Sequence, residues 1–274
     1  LRLAAALRER RLSVKGGGPT RVIYYISPQI WAWKAGRRFG MARDLDALAV
    51  IFPFEPACYA DTALPVEFVG HPFLAPGYVS PVRHDPAGPV LLLPGSRRQP
   101  VERIFPALLA GWRESGAADA VVLYPSEEIR NVLVAAKPPA AVRLLPVGGV
   151  QGCSEPLGAS AVLTSSGTMS MHCALAGIPG AIAYRANPLT YLIGRMLVRV
   201  EYLGIANLLL KEAMYPEYIQ GAATPAALAA EVRAAISEPS RRERTAEQAS
   251  RLRGLLGAPA NGSAADWLLR QLRA

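Results

Sequence analysis

The sequence of residues 90–98 is Val90-Leu91-Leu92-Leu93-Pro94-Gly95-Ser96-Arg97-Arg98, a short apolar run followed at once by a polar turn. Four apolar residues bounded by turn residues are typical of a buried strand in a parallel sheet. Residues 161–168 repeat this order as Ala161-Val162-Leu163-Thr164-Ser165-Ser166-Gly167-Thr168. Because ligands bind at the carboxyl ends of parallel strands, these two turns are the first places to look for a binding site.

Short apolar runs alternate with amphipathic segments along most of the chain, which is typical of stacked β-α units. The pattern predicts strands at Val22–Ile26, Ala47–Phe52, Val66–Val69, Val90–Leu93, Ala120–Leu123, Val142–Leu145, Ala161–Leu163 and Gly180–Tyr184. It predicts helices at Trp33–Ala42, Val101–Trp112, Glu127–Ala135, Met169–Ala176 and Leu189–Val198, and a final helical cap of Pro225–Ile236, Arg241–Leu256 and Ala264–Leu272. The proline- and glycine-rich stretch His71–Pro89 cannot sustain a helix or a central strand, so we place a domain boundary there.

The composition is that of a globular α/β protein, since 51% of the 274 residues are hydrophobic and 19% are charged. The net charge of +9 comes almost entirely from arginine, because only four of the 30 basic residues are lysines. Arginine suits phosphate and carboxylate partners, so nucleic acid, an anionic membrane face and phosphorylated substrates all stay open at this point. The three distant cysteines favour a reducing, cytoplasmic compartment, and no run of about 18 to 20 apolar residues occurs, so we expect any membrane contact to be peripheral.

The two polar turns carry anion-binding chemistry. The first offers backbone N–H groups, the Ser96 hydroxyl and the Arg97 guanidinium, and the second opens a helix with the hydroxyls of Ser166 and Thr168. Each turn alone could be an ordinary helix cap, because serine, threonine and glycine favour such positions anyway. Two such turns after two strands point to a diphosphate held between them.

Standard nucleotide and metal motifs are missing from the sequence. No glycine is followed by lysine, and no G-x-G-x-x-G occurs, which argues against a Walker P-loop and an NAD-type dehydrogenase. The three histidines stand apart and no C-x-x-C or H-E-x-x-H is present. We therefore predict no metal.

Two further groups of residues could contact a ligand. Trp31 and Trp33 lie beside basic residues, a combination that suits bases, sugars or a lipid surface, although one indole in the core and a solvated helix face would explain it equally well. Asn207, Glu217 and Gln220 are polar in apolar surroundings. Their partners could be backbone groups or the hydroxyls and base of a ligand.

Eight short motifs occur in an order that resembles the lipid-A-disaccharide synthase family. They are Ser27-Pro28-Gln29-Ile30-Trp31-Ala32-Trp33, Phe52-Pro53-Phe54-Glu55-Pro56, Val69-Gly70-His71-Pro72, Leu93-Pro94-Gly95-Ser96-Arg97, Ser166-Gly167-Thr168, Tyr184-Arg185-x-x-Pro188-Leu189-Thr190-Tyr191, Asn207-Leu208-Leu209 and Pro216-Glu217-Tyr218-Ile219-Gln220. The resemblance covers nearly the whole chain. It implies the glycosyltransferase type B fold, an α/β architecture of two Rossmann-like domains with the N-terminal one only partly present and a C-terminal helical cap. On this basis we expect an acceptor-side domain in residues 1–72, a linker in 73–89, a UDP-sugar-binding domain in 90–220 and C-terminal helices in 221–274.

The resemblance also implies a reaction and its partners. UDP-2,3-diacylglucosamine would be joined to 2,3-diacylglucosamine 1-phosphate through a β-1,6 bond with inversion, and UDP would be released at the inner face of the cytoplasmic membrane. No cofactor, no metal and no nucleic acid would take part. A homo-oligomer stays open. Arg97 would stabilise charge on the leaving diphosphate, and Trp31 and Trp33 would lie on the acceptor side. The residues expected to bind the UDP-sugar are Gly95, Ser96, Ser166, Gly167, Thr168, His172, Asn207, Glu217 and Gln220.

The chain departs from the family pattern in ways that leave alternatives open. The family's catalytic base is expected upstream of Leu1, so we expect the 274-residue chain alone not to transfer sugar. The family has a leucine and a glutamate where this chain has Met171 and His172, which favours a second hypothesis, a non-catalytic homologue that binds a UDP-sugar or a lipid surface. Another UDP-sugar enzyme on this fold, such as a 2-epimerase, and a DNA-binding protein are weaker alternatives.

Overall fold

The computed structural model describes residues 1–149, 155–187 and 201–273 of the chain. Within these ranges the contacts group the chain into two compact units. Unit 1 contains residues 1–78 and 254–273, and unit 2 contains residues 79–149, 155–187 and 201–253. Three features of the sequence lie outside the described residues, namely the predicted helix Leu189–Val198, the last part of the sixth motif (Pro188–Tyr191) and Cys153.

Unit 1 is built on a parallel sheet of three strands in the order β1-β2-β3. The strands are β1 (Ile23–Tyr25), β2 (Ala47–Val50) and β3 (Val66–Phe68), and the helices are α1 (Arg2–Glu9), α2 (Arg37–Asp44) and, from the end of the chain, α9 (Ala264–Arg273). Alternate side chains of β2 face opposite sides, as the pleat requires. Leu48 and Val50 pack in a cluster with Met41 of α2, whereas Ala47 and Ala49 pack in another with Trp267 of α9.

Unit 2 is built on a parallel sheet of six strands in the order β11-β10-β9-β5-β6-β7, beside a separate pair β4-β8. Its strands are β4 (Val82–His84), β5 (Val90–Leu93), β6 (Ala120–Tyr124), β7 (Val142–Pro146), β8 (Leu157–Ala159), β9 (Ala161–Thr164), β10 (Gly180–Tyr184) and β11 (Glu217–Ile219). Its helices are α3 (Arg98–Ser115), α4 (Glu127–Ala135), α5 (Thr168–Leu175), α6 (Ile205–Leu210), α7 (Pro225–Ser237) and α8 (Pro239–Leu256), whose last residues belong to unit 1. The central strands β5, β6 and β9 are buried along their whole length, which explains their continuous apolar sequences.

Close packing of helices onto this sheet depends on small residues at defined points. Among the described helices, α3 packs most extensively against α7. A Cβ atom at Gly111 of α3 would lie 2.6 Å from Cβ of Leu228, so only glycine permits this approach. Thr224 caps α7 by accepting a hydrogen bond from the Ala227 N–H group, and Ser126 caps α4 in the same way.

The predicted α/β fold is confirmed, and each of the eight predicted strands is present to within two residues at either end. The predicted helix at Trp33–Ala42 is wrong at its start, because Lys34 has a left-handed φ of 53° and α2 begins at Arg37. The short strands β4, β8 and β11 were not predicted. Strand β4 lies in the proline-rich stretch and pairs with β8, outside the six-stranded sheet. The two units divide between Tyr78 and Val79. The boundaries expected at residues 72, 89 and 220 stay predictions.

Candidate active site

The polar turns at residues 94–98 and 164–168 lie side by side. Strands β5 and β9 are neighbours in the sheet, with Leu93 paired to Thr164 at their carboxyl ends. A cavity of about 230 Å³ opens at this edge. Its lining comes from the ends of β5, β6, β7 and β9 and the start of α5. It consists of Leu93, Gly95, Ser96, Leu123, Pro125, Val147, Thr164, Ser165, Ser166, Gly167, Thr168, Met169 and Ser170. Five of the predicted binding residues are therefore brought together, namely Gly95, Ser96, Ser166, Gly167 and Thr168.

The turn after β5 requires glycine at position 95. Gly95 has a φ of 113°, a conformation that residues with a Cβ atom rarely adopt. A Cβ atom there would also lie 3.0 Å from the hydroxyl oxygen of Ser165, in the turn after β9. The Ser165 N–H group donates to the Leu93 carbonyl at 2.8 Å, which holds the two turns against each other. The cavity wall at this point is thus set by backbone conformation.

The turn after β9 leads directly into the N-terminus of α5. Ser166, Gly167 and Thr168 are exposed, and the first N–H groups of α5 have no acceptor within the helix. The Ser170 hydroxyl donates to the Gly167 carbonyl at 2.5 Å and fixes the start of the helix. The helix dipole and these N–H groups together favour an anion in the cavity.

Arg97 follows Gly95 and Ser96 in the turn after β5. It precedes α3 with extended backbone angles, and its side chain is exposed and not part of the cavity lining. Among the described residues the Arg97 guanidinium forms no hydrogen bond or ion pair, whereas the neighbouring Arg98 is paired with Glu102 at 2.8 Å. Arg97 is therefore free to turn toward an anionic ligand, and its assigned role stays a prediction.

Asn207, Glu217 and Gln220 have protein partners. Buried Asn207 donates to the Tyr215 carbonyl at 2.7 Å and to Glu217 at 2.9 Å, and accepts from the Tyr215 N–H group at 3.0 Å. The Glu217 carboxylate accepts from the N–H groups of Leu203 and Gly204 at 2.8 and 2.9 Å.

These contacts connect back to the turn after β9. The Leu203 carbonyl accepts a hydrogen bond of 3.5 Å from the Ser166 hydroxyl. Gln220, at a left-handed φ of 55°, bonds both backbone groups of Ala186 through its side chain. The three side chains thus bond other groups of the protein, and Glu217 among them holds the 203–204 segment that the Ser166 hydroxyl contacts. Direct contact with a ligand stays a prediction.

His172 lies inside the unit. Its side chain is 2% exposed and does not line the cavity. Burial lowers the pKa of His172 to about 4, so the imidazole is neutral at physiological pH. The predicted contact between His172 and a ribose stays a prediction, and in the structure the imidazole is buried.

Trp31 and Trp33 belong to unit 1 and differ in their surroundings. The Trp31 indole packs edge-on against Phe52 and Phe54, at centroid distances of 6.2 and 5.4 Å, and donates to Glu55 at 3.3 Å. Trp33 is 43% exposed. Both tryptophans follow the carboxyl end of β1, and the phenylalanines follow the carboxyl end of β2.

Glu55 is a residue that sequence reasoning missed. Its carboxylate is 1% exposed and accepts from the N–H groups of Ile51 and Phe52 at 3.2 and 3.0 Å as well as from Trp31. Burial raises the pKa of Glu55, and the three donors oppose this effect. The signal was present as a lone carboxylate in Phe52-Pro53-Phe54-Glu55-Pro56. The sequence could not show that Trp31, Ile51 and Phe52 donate hydrogen bonds to Glu55, because these contacts join separate loops.

The described residues form neither a metal-binding cluster nor a membrane-spanning helix. In the part of the chain that the structure covers, no three His, Cys, Asp or Glu side chains cluster in a way that could hold a metal ion. Of the helices described, none is both long and apolar enough to cross a lipid bilayer.

Comparison with known sequences gives consistent matches. A sequence profile of the family described as lipid-A-disaccharide synthetase matches residues 8–266. The lipid-A-disaccharide synthase of Syntrophus aciditrophicus is 36% identical over 266 residues, covering 91% of this chain and 68% of that protein. That of Geobacter metallireducens is 36% identical over 251 residues, covering 86% of this chain and 65% of that protein. The chain thus spans about two thirds of the length of these relatives.

Comparison with solved structures agrees on the fold. A spinosyn rhamnosyltransferase complexed with thymidine diphosphate superimposes with a TM-score of 0.55 at 14% identity, covering 100% of this chain and 78% of that one. The glycosyltransferase of kitacinnamycin gives a TM-score of 0.52 at 17% identity, covering 98% and 74%. At these identities the likeness establishes the glycosyltransferase type B architecture alone.

Proposed function

The chain belongs to the lipid-A-disaccharide synthase family, and we propose from this premise that the protein is an inverting glycosyltransferase of lipid A biosynthesis. The donor is UDP-2,3-diacylglucosamine and the acceptor is 2,3-diacylglucosamine 1-phosphate. The products are the β-1,6-linked disaccharide 1-phosphate and UDP.

The observation that carries this proposal is the cavity at the carboxyl ends of β5 and β9. Two glycine-containing turns, three exposed hydroxyls and the N-terminus of α5 meet there, all groups that bind the oxygens of a diphosphate. The exposed guanidinium of Arg97 belongs to the same turn as Gly95 and Ser96. We assign the UDP diphosphate to this cavity.

The chemistry follows from a single displacement. The 6-hydroxyl oxygen of the acceptor attacks the anomeric carbon of the donor sugar from the face opposite UDP, and the bond from this carbon to the diphosphate oxygen breaks. The electron pair leaves with UDP, and the hydroxyl proton passes to a general base. The α5 N-terminus and Arg97 stabilise the negative charge that grows on the diphosphate, a contribution of about 2 to 4 kcal/mol for one well-placed donor.

The remaining predicted residues receive supporting roles. Asn207 and Glu217 position the backbone at residues 203–204, which contacts Ser166, and Gln220 holds the backbone of Ala186. Trp31 and Trp33 contribute to the acceptor side in unit 1. Since both substrates carry acyl chains, we place the protein in the cytoplasm, peripheral to the inner face of the membrane.

Product analysis tests the proposal. The complete protein, including any residues that precede Leu1, is incubated with both lipids in detergent. The products are separated and examined by mass spectrometry and by the proton coupling of the new anomeric centre. Stoichiometric UDP and a β-linked disaccharide are expected. UDP binding without any product would instead support the non-catalytic homologue, which the buried His172 in place of the family's glutamate favours.

A further inference from the structure

One exposed segment of unit 1 combines aromatic rings with positive charge. Residues 33–39, here called the 33–39 segment, connect the Trp31 turn to the first residues of α2. Trp33 is 43% exposed and Phe39 is 54% exposed, and Lys34 and Arg37 between them are also exposed. Two exposed aromatic rings within seven residues, next to exposed cations, mark a candidate interaction surface.

Each exposed ring of the 33–39 segment already holds a cation. The Lys34 ammonium lies 4.6 Å from the centre of the Trp33 ring, and the Arg38 guanidinium lies 4.2 Å from that of Phe39. One face of each ring is therefore covered, which leaves less room for the base stacking that nucleic-acid binding uses. Rings flanked by cations are instead typical of the interface between lipid headgroups and acyl chains.

Two side chains of this region have partners elsewhere in unit 1. Arg38 bonds both carboxylate oxygens of Asp61, at 2.7 and 2.5 Å, and Trp31 is anchored to Glu55 and the two phenylalanines. By contrast, Lys34 and Arg37 form no ion pair with any residue that the structure describes. Their charges are therefore not neutralised by a carboxylate of the described chain and can meet an external anionic partner.

We propose that the 33–39 segment is a docking surface for an anionic lipid bilayer, with Trp33 and Phe39 entering the headgroup region and Lys34 and Arg37 contacting lipid phosphates. The charge complementarity of two unpaired cations favours this partner over a neutral surface. The inference rests on the proposed function in one respect, because substrates with acyl chains reside in such a membrane.

Vesicle binding tests the docking surface without any substrate. The full-length chain is sedimented with vesicles of phosphatidylcholine alone and with vesicles that also contain phosphatidylglycerol. The expected result is binding to the anionic vesicles only. In the variant Lys34→Glu/Arg37→Glu this binding falls at least about 10-fold, since each headgroup contact of a basic residue is worth about a factor of five. Phe39→Ser is expected to weaken it as well.

A matched control carries the same change of charge elsewhere. Arg143→Glu/Arg244→Glu alters two exposed arginines of unit 2 and leaves the 33–39 segment intact. Equal loss of binding in this control, unchanged binding in the Lys34 and Arg37 variant, or equal binding to neutral vesicles would overturn the proposal.

Activity in detergent separates this inference from the proposed function. The Lys34→Glu/Arg37→Glu variant is expected to transfer sugar at the normal rate when both lipids are dispersed in detergent. Vesicle binding without any transfer would refute the function and leave the docking surface standing. Sugar transfer without charge-dependent vesicle binding would refute the docking surface and leave the proposed function standing.

Discussion

Replacing Gly95 with alanine is expected to weaken UDP binding. Gly95 has a φ of 113°, where a residue with a Cβ atom is strained by about 1 to 3 kcal/mol. The new Cβ atom would also meet the Ser165 hydroxyl at 3.0 Å, so the turns after β5 and β9 must move apart. If the strain is relieved by reshaping the cavity, UDP affinity should fall by about 5- to 150-fold, the equivalent of that energy.

Gly116 provides a matched control for this prediction. It ends α3 with a φ of 78°, and a Cβ atom there would meet nothing within 4 Å. Gly116→Ala should therefore lower the free energy of unfolding by about 1 to 2 kcal/mol without changing the affinity for UDP. Calorimetric titration with UDP and urea denaturation of both variants separate the two effects. An unchanged UDP affinity in Gly95→Ala, with stability reduced as in the control, would refute the placement of the diphosphate.

Three further substitutions test other parts of the site. Arg97→Ala should slow transfer by about 30- to 1,000-fold. The free energy of unfolding should change by less than about 0.5 kcal/mol, because the side chain has no partner in the described structure. Arg97→Lys should keep only part of the rate, and a normal rate in Arg97→Ala would show that Arg97 does not stabilise the leaving diphosphate. Asn207→Ala should lower the free energy of unfolding in urea by about 2 to 4 kcal/mol, since it leaves buried backbone groups of Tyr215 unpaired; a smaller loss would show that water replaces the amide. Between pH 7 and about pH 4.5, the free energy of unfolding should fall by about 2 to 3 kcal/mol more in the wild-type protein than in His172→Gln. The reason is that the pKa of His172 is about 4 in the folded state and 6.5 in the unfolded chain, so the unfolded chain takes up the proton first. Equal pH profiles of the two proteins in urea denaturation would contradict the low pKa.

The strands and the diphosphate turns could be predicted because their determinants are local. Apolar runs such as Val90–Leu93 form strands that neighbouring layers cover on both faces, and the residue after each run marks the carboxyl edge of the sheet. The pairing of β5 with β9 then places Gly95 and Ser166 on one cavity, as two separate turns in the sequence had indicated.

The partners of polar residues could not be predicted, because they depend on packing between distant segments. Asn207 and Glu217 looked equally suited to a ligand or to backbone groups, and only the fold shows that Leu203, Gly204 and Tyr215 supply their hydrogen bonds. The start of α2 was misjudged for a different reason. The apolar pattern extends through Trp33, but the left-handed conformation of Lys34 excludes those residues from the helix.

Hydrogen exchange of the backbone amides in the presence of UDP tests the diphosphate site most directly. Saturating UDP should slow exchange in peptides that cover residues 94–98 and 165–170, because their N–H groups lie at the carboxyl ends of β5 and β9 and at the start of α5. Peptides of unit 1 that cover β1 to β3 should change little, since we place no part of UDP there. Protection confined to other segments of unit 2, or UDP binding with no change in either turn, would contradict the account.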